Sequence, residues 1–495
     1  MPTTAHIAID LGASGGRVGL GFLENSKLEI EIVHRFWNGV TPLQSGLYWD
    51  VIGLWREILQ GLKLAASRAT DRGLKVSSVG VDSWAIDYAL LDQYGLMLDG
   101  VHGYRDARTD GVMENAFQTV SRAALFEATG LQFLPFNTLY QLIALKRDAP
   151  NLLESAAHFL LVPDLLHYWL TGIKTCERTN ASTTQFYNPK TRDWAVDVIS
   201  QFGIPSAMLP KLIEPGSVIG NLLPSIATDT NLEHVAVIAP GSHDTASAVV
   251  AVPMLETNAA YISSGTWSLV GLETPAPVIS SAALEANLTN EAGVNGTNRL
   301  LKNVMGLWIL QECRRAWGNP EWQDLYLEAE HSPGFSSLID PDDARFLSPG
   351  EDMPIRVQEY CRQTKQNIPQ SRAAIVRCVL ISLALKYRIV LEQLERVTQT
   401  RVPRIHVVGG GSQVDMLNQF TANATQLEVV AGPIDATLTG NILVQAVGTG
   451  DLAWSELRQI VRNSFELRTF RPQDANLWDA AFGTFRGLLE HQTAK

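Results

Sequence analysis

Twice in this 495-residue chain a short apolar strand runs into a turn of small residues and returns as a second apolar strand. The first copy is His6-Ile7-Ala8-Ile9-Asp10, a Gly/Ser turn, and a return over residues 17–23. The second spans residues 259–272 and turns through Ser263-Ser264-Gly265-Thr266-Trp267-Ser268. The echo reads as a duplication, with one β-hairpin opening each half. The boundary falls near residue 255, in Pro253-Met254-Leu255-Glu256-Thr257-Asn258, so the expected domains are 1–255 and 256–495. Strand-like and helix-like runs alternate around the hairpins, the pattern of an α/β fold. Residues 54–69 have helical spacing, and 77–82 and 88–91 read as strands. Residues 152–170 read as one helix broken or kinked at Pro163. Later, Leu380, Leu383, Ala384, Tyr387, Leu391 and Leu394 repeat with helical spacing. A buried strand over 404–408 then meets Gly409-Gly410-Gly411, and 415–424 reads as the next helix.

Composition excludes several partners. Net charge is −12, with no long run of Lys or Arg, which argues against nucleic acid and anionic membrane. The chain is 46% hydrophobic and 18% charged, as in proteins with large cores. No apolar run approaches a membrane helix in length. The start carries no charged leader, so a cytoplasmic protein is expected. Cys176, Cys313, Cys361 and Cys378 have no zinc-like spacing. Reduced thiols are the simplest reading, although Cys361 and Cys378 lie close enough in sequence to bridge.

The chemistry concentrates in Gly241-Ser242-His243-Asp244-Thr245-Ala246-Ser247. Asp244 follows an apolar strand end and precedes a helical Ala/Val run, where a fixed, partly dry general base would sit. Standing alone it reads as a helix N-cap. Asp10-Leu11-Gly12-Ala13-Ser14-Gly15-Gly16-Arg17 ends a strand in an acid and turns through residues small enough for backbone N–H groups to reach phosphate. Asp10 suits a magnesium ion held through water; a plain hairpin turn fits the same residues. The segment is no Walker A loop, because no Lys-Ser or Lys-Thr follows the glycines, and Gly409 to Val414 misses the dinucleotide fingerprint. Thr266 is placed to donate to a phosphate oxygen or to satisfy its own turn. Gly80-Val81-Asp82-Ser83-Trp84-Ala85-Ile86-Asp87-Tyr88 sets two acids and an aromatic at a strand end. There Trp84 would stack on a sugar face, or simply fill the core. Tyr104-Arg105-Asp106-Ala107-Arg108-Thr109 offers groups able to bond a polyol. Two phosphate cradles around one carboxylate point to phosphoryl transfer, which needs positioning and charge neutralisation more than covalent chemistry.

Taken together these segments resemble the FGGY carbohydrate kinases. With them go Phe133-Leu134-Pro135-Phe136-Asn137-Thr138-Leu139-Tyr140-Gln141-Leu142, Leu301-Lys302-Asn303-Val304-Met305-Gly306-Leu307-Trp308 and residues 407–413, in the family's order across nearly the whole chain. The resemblance implies two actin/hexokinase-like (ribonuclease H-like) domains, each a mixed β-sheet with flanking helices, around a central cleft. Sugar would bind in the first domain and ATP against the second. The resemblance makes Asp244 the catalytic base. It gives Ala85, His243, Thr245 and Asn303 to the sugar, and Ala13, Ser14, Gly15, Gly16, Arg17, Thr266, Gln311 and Gly410 to ATP. Mg2+ would accompany ATP at Asp10. The reaction implied is transfer of the γ-phosphoryl group to the C1 hydroxyl of a ketose. L-rhamnulose is the nearest match, with L-fuculose or a pentulose as alternatives, and the protein would be a monomer or homodimer. A non-catalytic sugar or nucleotide sensor on the same fold is the other class. Three positions depart from the pattern. Ala85 stands where the resemblance has a glycine, Gly15 where it has a serine, and Asp435 where it has a glutamate. They bear on which sugar fits and on nucleotide affinity.

Overall fold

The computed structural model describes residues 3–493, with side chains as far as residue 490. The chain groups into two compact units. The first comprises Met1–Pro253, Glu273–Leu300 and Asp435–Phe465; the second comprises Met254–Leu272, Leu301–Ile434 and Glu466–Lys495. Two contiguous halves cut near residue 255 were the expectation. One break does fall between Pro253 and Met254, but two later segments return to the first unit.

In the first unit, β1 (Thr4–Gly12), β2 (Gly15–Glu24), β3 (Lys27–Trp37), β4 (Lys75–Ser83), β5 (Val218–Asn221) and β6 (Ala236–Ile238) form one sheet in the order β5-β6-β4-β1-β2-β3. β1 and β2 are the expected hairpin, antiparallel with Gly12 opposite Gly15, while β4 runs parallel to β1. β1 is buried from Ala5 to Leu11 and, His6 and Asp10 apart, apolar over that stretch, as a central strand should be. Helix α1 (Val51–Asp71) starts where the Asp50 carboxylate accepts the Gly53 N–H at 2.8 Å. It buries Leu54, Ile58, Leu62, Ala65 and Ala69, one stripe at helical spacing.

The stretch over 152–170 is not one kinked helix. A short helix, Pro150–Glu154, is followed by the strand His158–Leu161, which pairs antiparallel with Tyr88–Leu91. Helix α2 (Val162–Thr171) then begins with Pro163 in its first turn, where a missing N–H costs nothing. A four-residue apolar run has too short a period to separate strand from helix.

Helices α3 (Asp244–Val250) and α7 (Ala436–Gly448) cross closely in this unit. A Cβ on Gly440 would lie 1.8 Å from the Ser247 carbonyl oxygen, so only glycine permits the approach.

A seven-stranded sheet contains β7 (Ala260–Ser264), β8 (Trp267–Thr274), β9 (Asn298–Met305), β10 (Ile405–Val408), β11 (Val429–Ala431) and β12 (Arg468–Phe470), in the order β9-β8-β7-β10-β11-β12, with the edge strand Thr289–Ala292 beside β9. Again a hairpin, β7–β8, has its first strand paired in parallel with a later one, β10. Helices α4 (Trp308–Ala316), α5 (Arg372–Thr398) and α6 (Asp415–Thr425) belong to the second unit. The four cysteines are buried and free, so Cys361 and Cys378 form no bridge. Among the described residues no helix is long and apolar enough to cross a membrane.

Candidate active site

Parallel register sets the first unit's acids side by side: Asp10 pairs with Asp82, and Leu11 with Ser83. Ser83 donates its N–H to the Ser242 carbonyl at 2.9 Å and bridges to His243. The segment entering α3 is thereby laid along the end of β4, and Asp10, Asp82 and Asp244 lie close enough to feel one another's charge. Like charges crowded together need compensation. Arg17 supplies part of it. Its Nε donates to Asp10 Oδ2 at 3.2 Å, Nη2 reaches the same oxygen, and Nη1 pairs with Asp435.

Asp82 has no accessible surface. Its Oδ2 accepts from Asn441 Nδ2 at 2.5 Å, and its Oδ1 has no hydrogen-bond partner among the described residues. Burial, and then the charge of Asp10, push this carboxyl well above the usual range. Behind it runs a buried chain of donors. Gln445 Nε2 donates to Asn441 Oδ1 at 2.6 Å and to the Ile7 carbonyl at 3.0 Å. Ser78 Oγ donates to Gln445 Oε1 at 2.6 Å, and His6 Nδ1 meets Ser78 Oγ at 2.8 Å. Gly80 makes room, since a Cβ there would lie 2.9 Å from both amides. Sequence reading took Asp82 only as one of two strand-end acids. The available signal was the polar pair Asn441 and Gln445, one turn apart in an apolar helix.

Asp244 is the first residue of α3, and the capping position belongs to His243. The N-cap reading is therefore replaced by another arrangement. Asp244 Oδ1 accepts from Thr245 N at 2.6 Å and Thr245 Oγ1 at 3.2 Å. The side chain keeps 30% of its surface accessible. Desolvation raises its pKa, His243 opposes the shift, and Asp10 adds to it. An accessible carboxylate of raised basicity is what proton acceptance near neutral pH requires. His243 is buried, with Nε2 3.4 Å from Asp244 Oδ1 and Nδ1 3.3 Å from Glu291 and 3.2 Å from Arg299 Nη2. Buried Glu177 fixes the approach, accepting from Ser242 N at 2.9 Å and Ser242 Oγ at 2.7 Å.

Of the other polar and aromatic groups around Gly80–Tyr88 and Tyr104–Thr109, Asp87, Trp84, Asp106 and Arg108 are engaged within the fold. Asp87 accepts from Trp49 Nε1 (2.6 Å), Trp84 Nε1 (3.0 Å), Tyr104 N (3.1 Å) and Gln141 Nε2 (2.9 Å). Burial pushes it to about 6. Trp84 is 5% exposed, with its ring 4.2 Å from Trp49, so the core reading holds over stacking on a sugar. Asp106 and Arg108 are engaged with Leu47 N and Gln141 Oε1. Ala85 stays half-buried, held next to Ile86, which adopts φ 68° and accepts from Thr138 Oγ1 at 2.7 Å. A β-branched residue in that region is strained.

At the tip of the first hairpin Ser14 is exposed, and Asn38 Nδ2 holds the Gly12 carbonyl at 2.7 Å. Gly16 has a packing reason, because a Cβ there would lie 2.2 Å from the Phe36 ring. In the second unit Thr266 Oγ1 donates to Gln311 Oε1 at 3.2 Å, and Gly306 N and Trp308 N both donate to the Thr266 carbonyl at 3.1 Å. The triple glycine meets the same tip: a Cβ on Gly411 would sit 1.9 Å from Ser264 Oγ, while Gly410 faces open space. Asn303 lies half-buried on β9. Thus Asp10, Arg17, His243, Asp244 and Thr245 gather in the first unit, and Thr266, Gln311 and Gly410 in the second. Among the described residues no group of three or more His, Cys, Asp or Glu is arranged to hold a metal ion directly.

The chain matches the FGGY family of carbohydrate kinases, N-terminal domain, over residues 5–251 and C-terminal domain over residues 260–449. It belongs to the FGGY family of carbohydrate kinases and is a sugar kinase. It is 43% identical over 483 residues to a rhamnulokinase of Bacteroides thetaiotaomicron, covering 97% of this chain and 99% of that protein. It is 44% identical over 467 residues to a rhamnulokinase of Oceanobacillus iheyensis, covering 94% and 98%. The fold is that of a xylulose kinase from Lactobacillus acidophilus, with TM-score 0.81, 15% identity and 99% of each chain covered. Plasmodium falciparum glycerol kinase with ADP gives TM-score 0.78 at 15% identity, covering 99% of this chain and 98% of that one.

Proposed function

We propose that this kinase transfers the γ-phosphoryl group of ATP to the C1 hydroxyl of L-rhamnulose, giving ADP and L-rhamnulose 1-phosphate. The observation that carries the reading is the 43% and 44% identity to two rhamnulokinases over nearly their whole length. Asp244 is the base: the hydroxyl proton passes to its carboxylate as the new O–P bond forms and the bond to ADP breaks. Thr245 occupies Oδ1, which leaves Oδ2 to meet the hydroxyl. Ala85, His243, Thr245 and Asn303 contact the sugar. Ala13, Ser14, Gly15, Gly16 and Arg17 take the phosphates with backbone donors and one cation, and Thr266, Gln311 and Gly410 take the rest of the nucleotide. Mg2+ bound with ATP would neutralise phosphate charge. Asp10 would hold it through water, and the unpartnered buried oxygen of Asp82 suits that hydrated shell. The enzyme works in the cytoplasm, as a monomer or homodimer.

Ala85, in place of a glycine, favours a second reading in which another ketose is preferred, because a methyl on the pocket wall discriminates between sugars. The test is ADP release from the purified protein with L-rhamnulose, L-fuculose, L-ribulose and D-xylulose, and NMR of the product. The highest kcat/KM should be with L-rhamnulose, with phosphate on C1. A higher value with another ketose overturns the substrate, and no turnover with any of them overturns the reaction.

A further inference from the structure

Arg299 is the largest fully buried side chain among the described residues, and it lies one residue away from the base. A guanidinium out of water must be paired and hydrogen-bonded. Its Nε donates to the Ala292 carbonyl at 3.0 Å. Its Nη2 is 3.1 Å from Glu291 Oε2 and 3.2 Å from His243 Nδ1. Glu291 is itself 3% exposed, and its Oε2 stands 3.3 Å from His243 Nδ1. Two groups therefore compete for one ring nitrogen. The guanidinium has only donors, so its partner nitrogen carries the lone pair. The carboxylate has only acceptors and asks for a hydrogen on the same nitrogen.

We propose that Arg299 and Glu291 are a positioning pair for the phosphoryl transfer, with Arg299 holding His243 as the neutral Nε2–H tautomer so that this hydrogen faces Asp244. The 3.4 Å from His243 Nε2 to Asp244 Oδ1 is the far end of that arrangement. A ring hydrogen there steadies the carboxylate without neutralising it, and the other oxygen stays open to the sugar hydroxyl. Glu291 offsets the guanidinium charge, so the base does not sit beside an uncompensated cation. The charged groups facing His243 are Asp244, Glu291 and Arg299, while Thr179, itself bonded to Glu177, accepts the His243 N–H at 3.2 Å.

Without Arg299, His243 lies between two carboxylates, which together favour a hydrogen on both ring nitrogens. An imidazolium against Asp244 weakens the base. Arg299→Met should therefore lower kcat with the sugar about 10- to 100-fold, the scale typical of groups that orient a reacting side chain. It should also move the acid limb of the kcat–pH profile to lower pH. Glu291→Gln added to Arg299→Met removes the competing carboxylate and should recover kcat several-fold. A purely structural role predicts the double variant to be no better than the single.

The inference rests on Asp244 being the base, so its decisive readout is made without turnover. The full chain, labelled with 15N-histidine, is examined at neutral pH, and His243 is assigned by comparison with His243→Gln. The expected signals are a protonated Nε2 and an unprotonated Nδ1 in the wild type, and two protonated nitrogens in Arg299→Met. A hydrogen on Nδ1 in the wild type overturns the inference even if the kinase turns over L-rhamnulose. The expected tautomer stands even if no ketose is consumed. If Arg299→Met does not fold, Arg299→Lys keeps a buried donor-only cation and should keep the Nε2–H tautomer; a hydrogen on Nδ1 in that variant also overturns it.

Discussion

The hairpin of β1 and β2 and the hairpin of β7 and β8 share one frame, yet their tips are furnished differently. In each, the first strand pairs antiparallel with its return and parallel with a later strand. Around the first tip stand Asp10, Arg17, Asp82 and Asp435, an ionic set tied together by Arg17 and Asn441. Around the second stand Thr266, Gln311, Ser268 and Tyr387, joined by neutral hydrogen bonds, with Gly306 and Gly411 pressed against the turn. The same backbone geometry thus carries charge in one unit and shape in the other. Groups aimed at charge that develops in the transition state act mainly on kcat, whereas contacts made equally with bound substrate act mainly on affinity. Damage to the first unit should appear in kcat, and damage to the second in KM for ATP.

The largest separation is expected from Asp244→Asn. Removing a general base costs about 10²- to 10⁴-fold in kcat, with KM for ATP nearly unchanged. In the wild type the rate needs ionised Asp244. It should be full above the folded-state pKa and fall as pH drops through it, and that limb should lie above the ordinary carboxylate range because burial raises the group. A coupled ADP assay across pH checks both statements, and an acid limb near pH 4 would contradict the second.

Gly411→Ala should act in the opposite manner. Its Cβ would fall 1.9 Å from Ser264 Oγ and 2.5 Å from Ser264 Cβ, so the hairpin tip must move. Overpacking costs about 1–3 kcal/mol. Felt at the nucleotide site, that is roughly a 5- to 150-fold rise in KM for ATP, with kcat at saturating ATP reduced far less. Equal losses in both constants would erase the contrast between the two tips.

Much of this frame was legible in the sequence. Both hairpins, α1, α5, α6 and the strand before Asp244 announce themselves by period and by small-residue turns. Asp244 stood out from its neighbours as the candidate base, at the strand-to-helix turn where the fold places it. The two acids of Gly80–Tyr88 were not separable, because they differ only in what surrounds them. Asp82 faces Asp10 and Asn441, while Asp87 is enclosed by Trp49, Trp84 and Gln141. Glu291 and Arg299 lie 48 and 56 residues beyond His243 and carry no motif, so only the fold brings them to it. Gly16 carries a constraint that no motif announces. Besides its proposed place in the phosphate cradle, its missing Cβ is required by Phe36. Gly16→Ala should therefore perturb the first hairpin and lower kcat a few-fold, and Phe36→Ala in the same chain should restore much of the loss. No recovery in the double variant would show that the loss comes from the phosphate contact and not from the clash with Phe36.

The smallest effects discriminate between the tips most finely. Thr266→Val keeps the shape of the side chain and removes only the hydroxyl that donates to Gln311. A neutral hydrogen bond of this kind is worth about 1 kcal/mol, or roughly 5-fold in KM for ATP. Ser14→Ala at the first tip is the matched control, since Ser14 is exposed and the proposed phosphate contacts there are backbone N–H groups. It should change KM for ATP by less than about 2-fold, because surface truncations seldom exceed about 0.5 kcal/mol. Initial-rate kinetics on the pair decides the matter. If Ser14→Ala weakens ATP as much as Thr266→Val does, hydroxyls matter equally at both tips, and the first hairpin is not the backbone-and-charge device its surroundings describe.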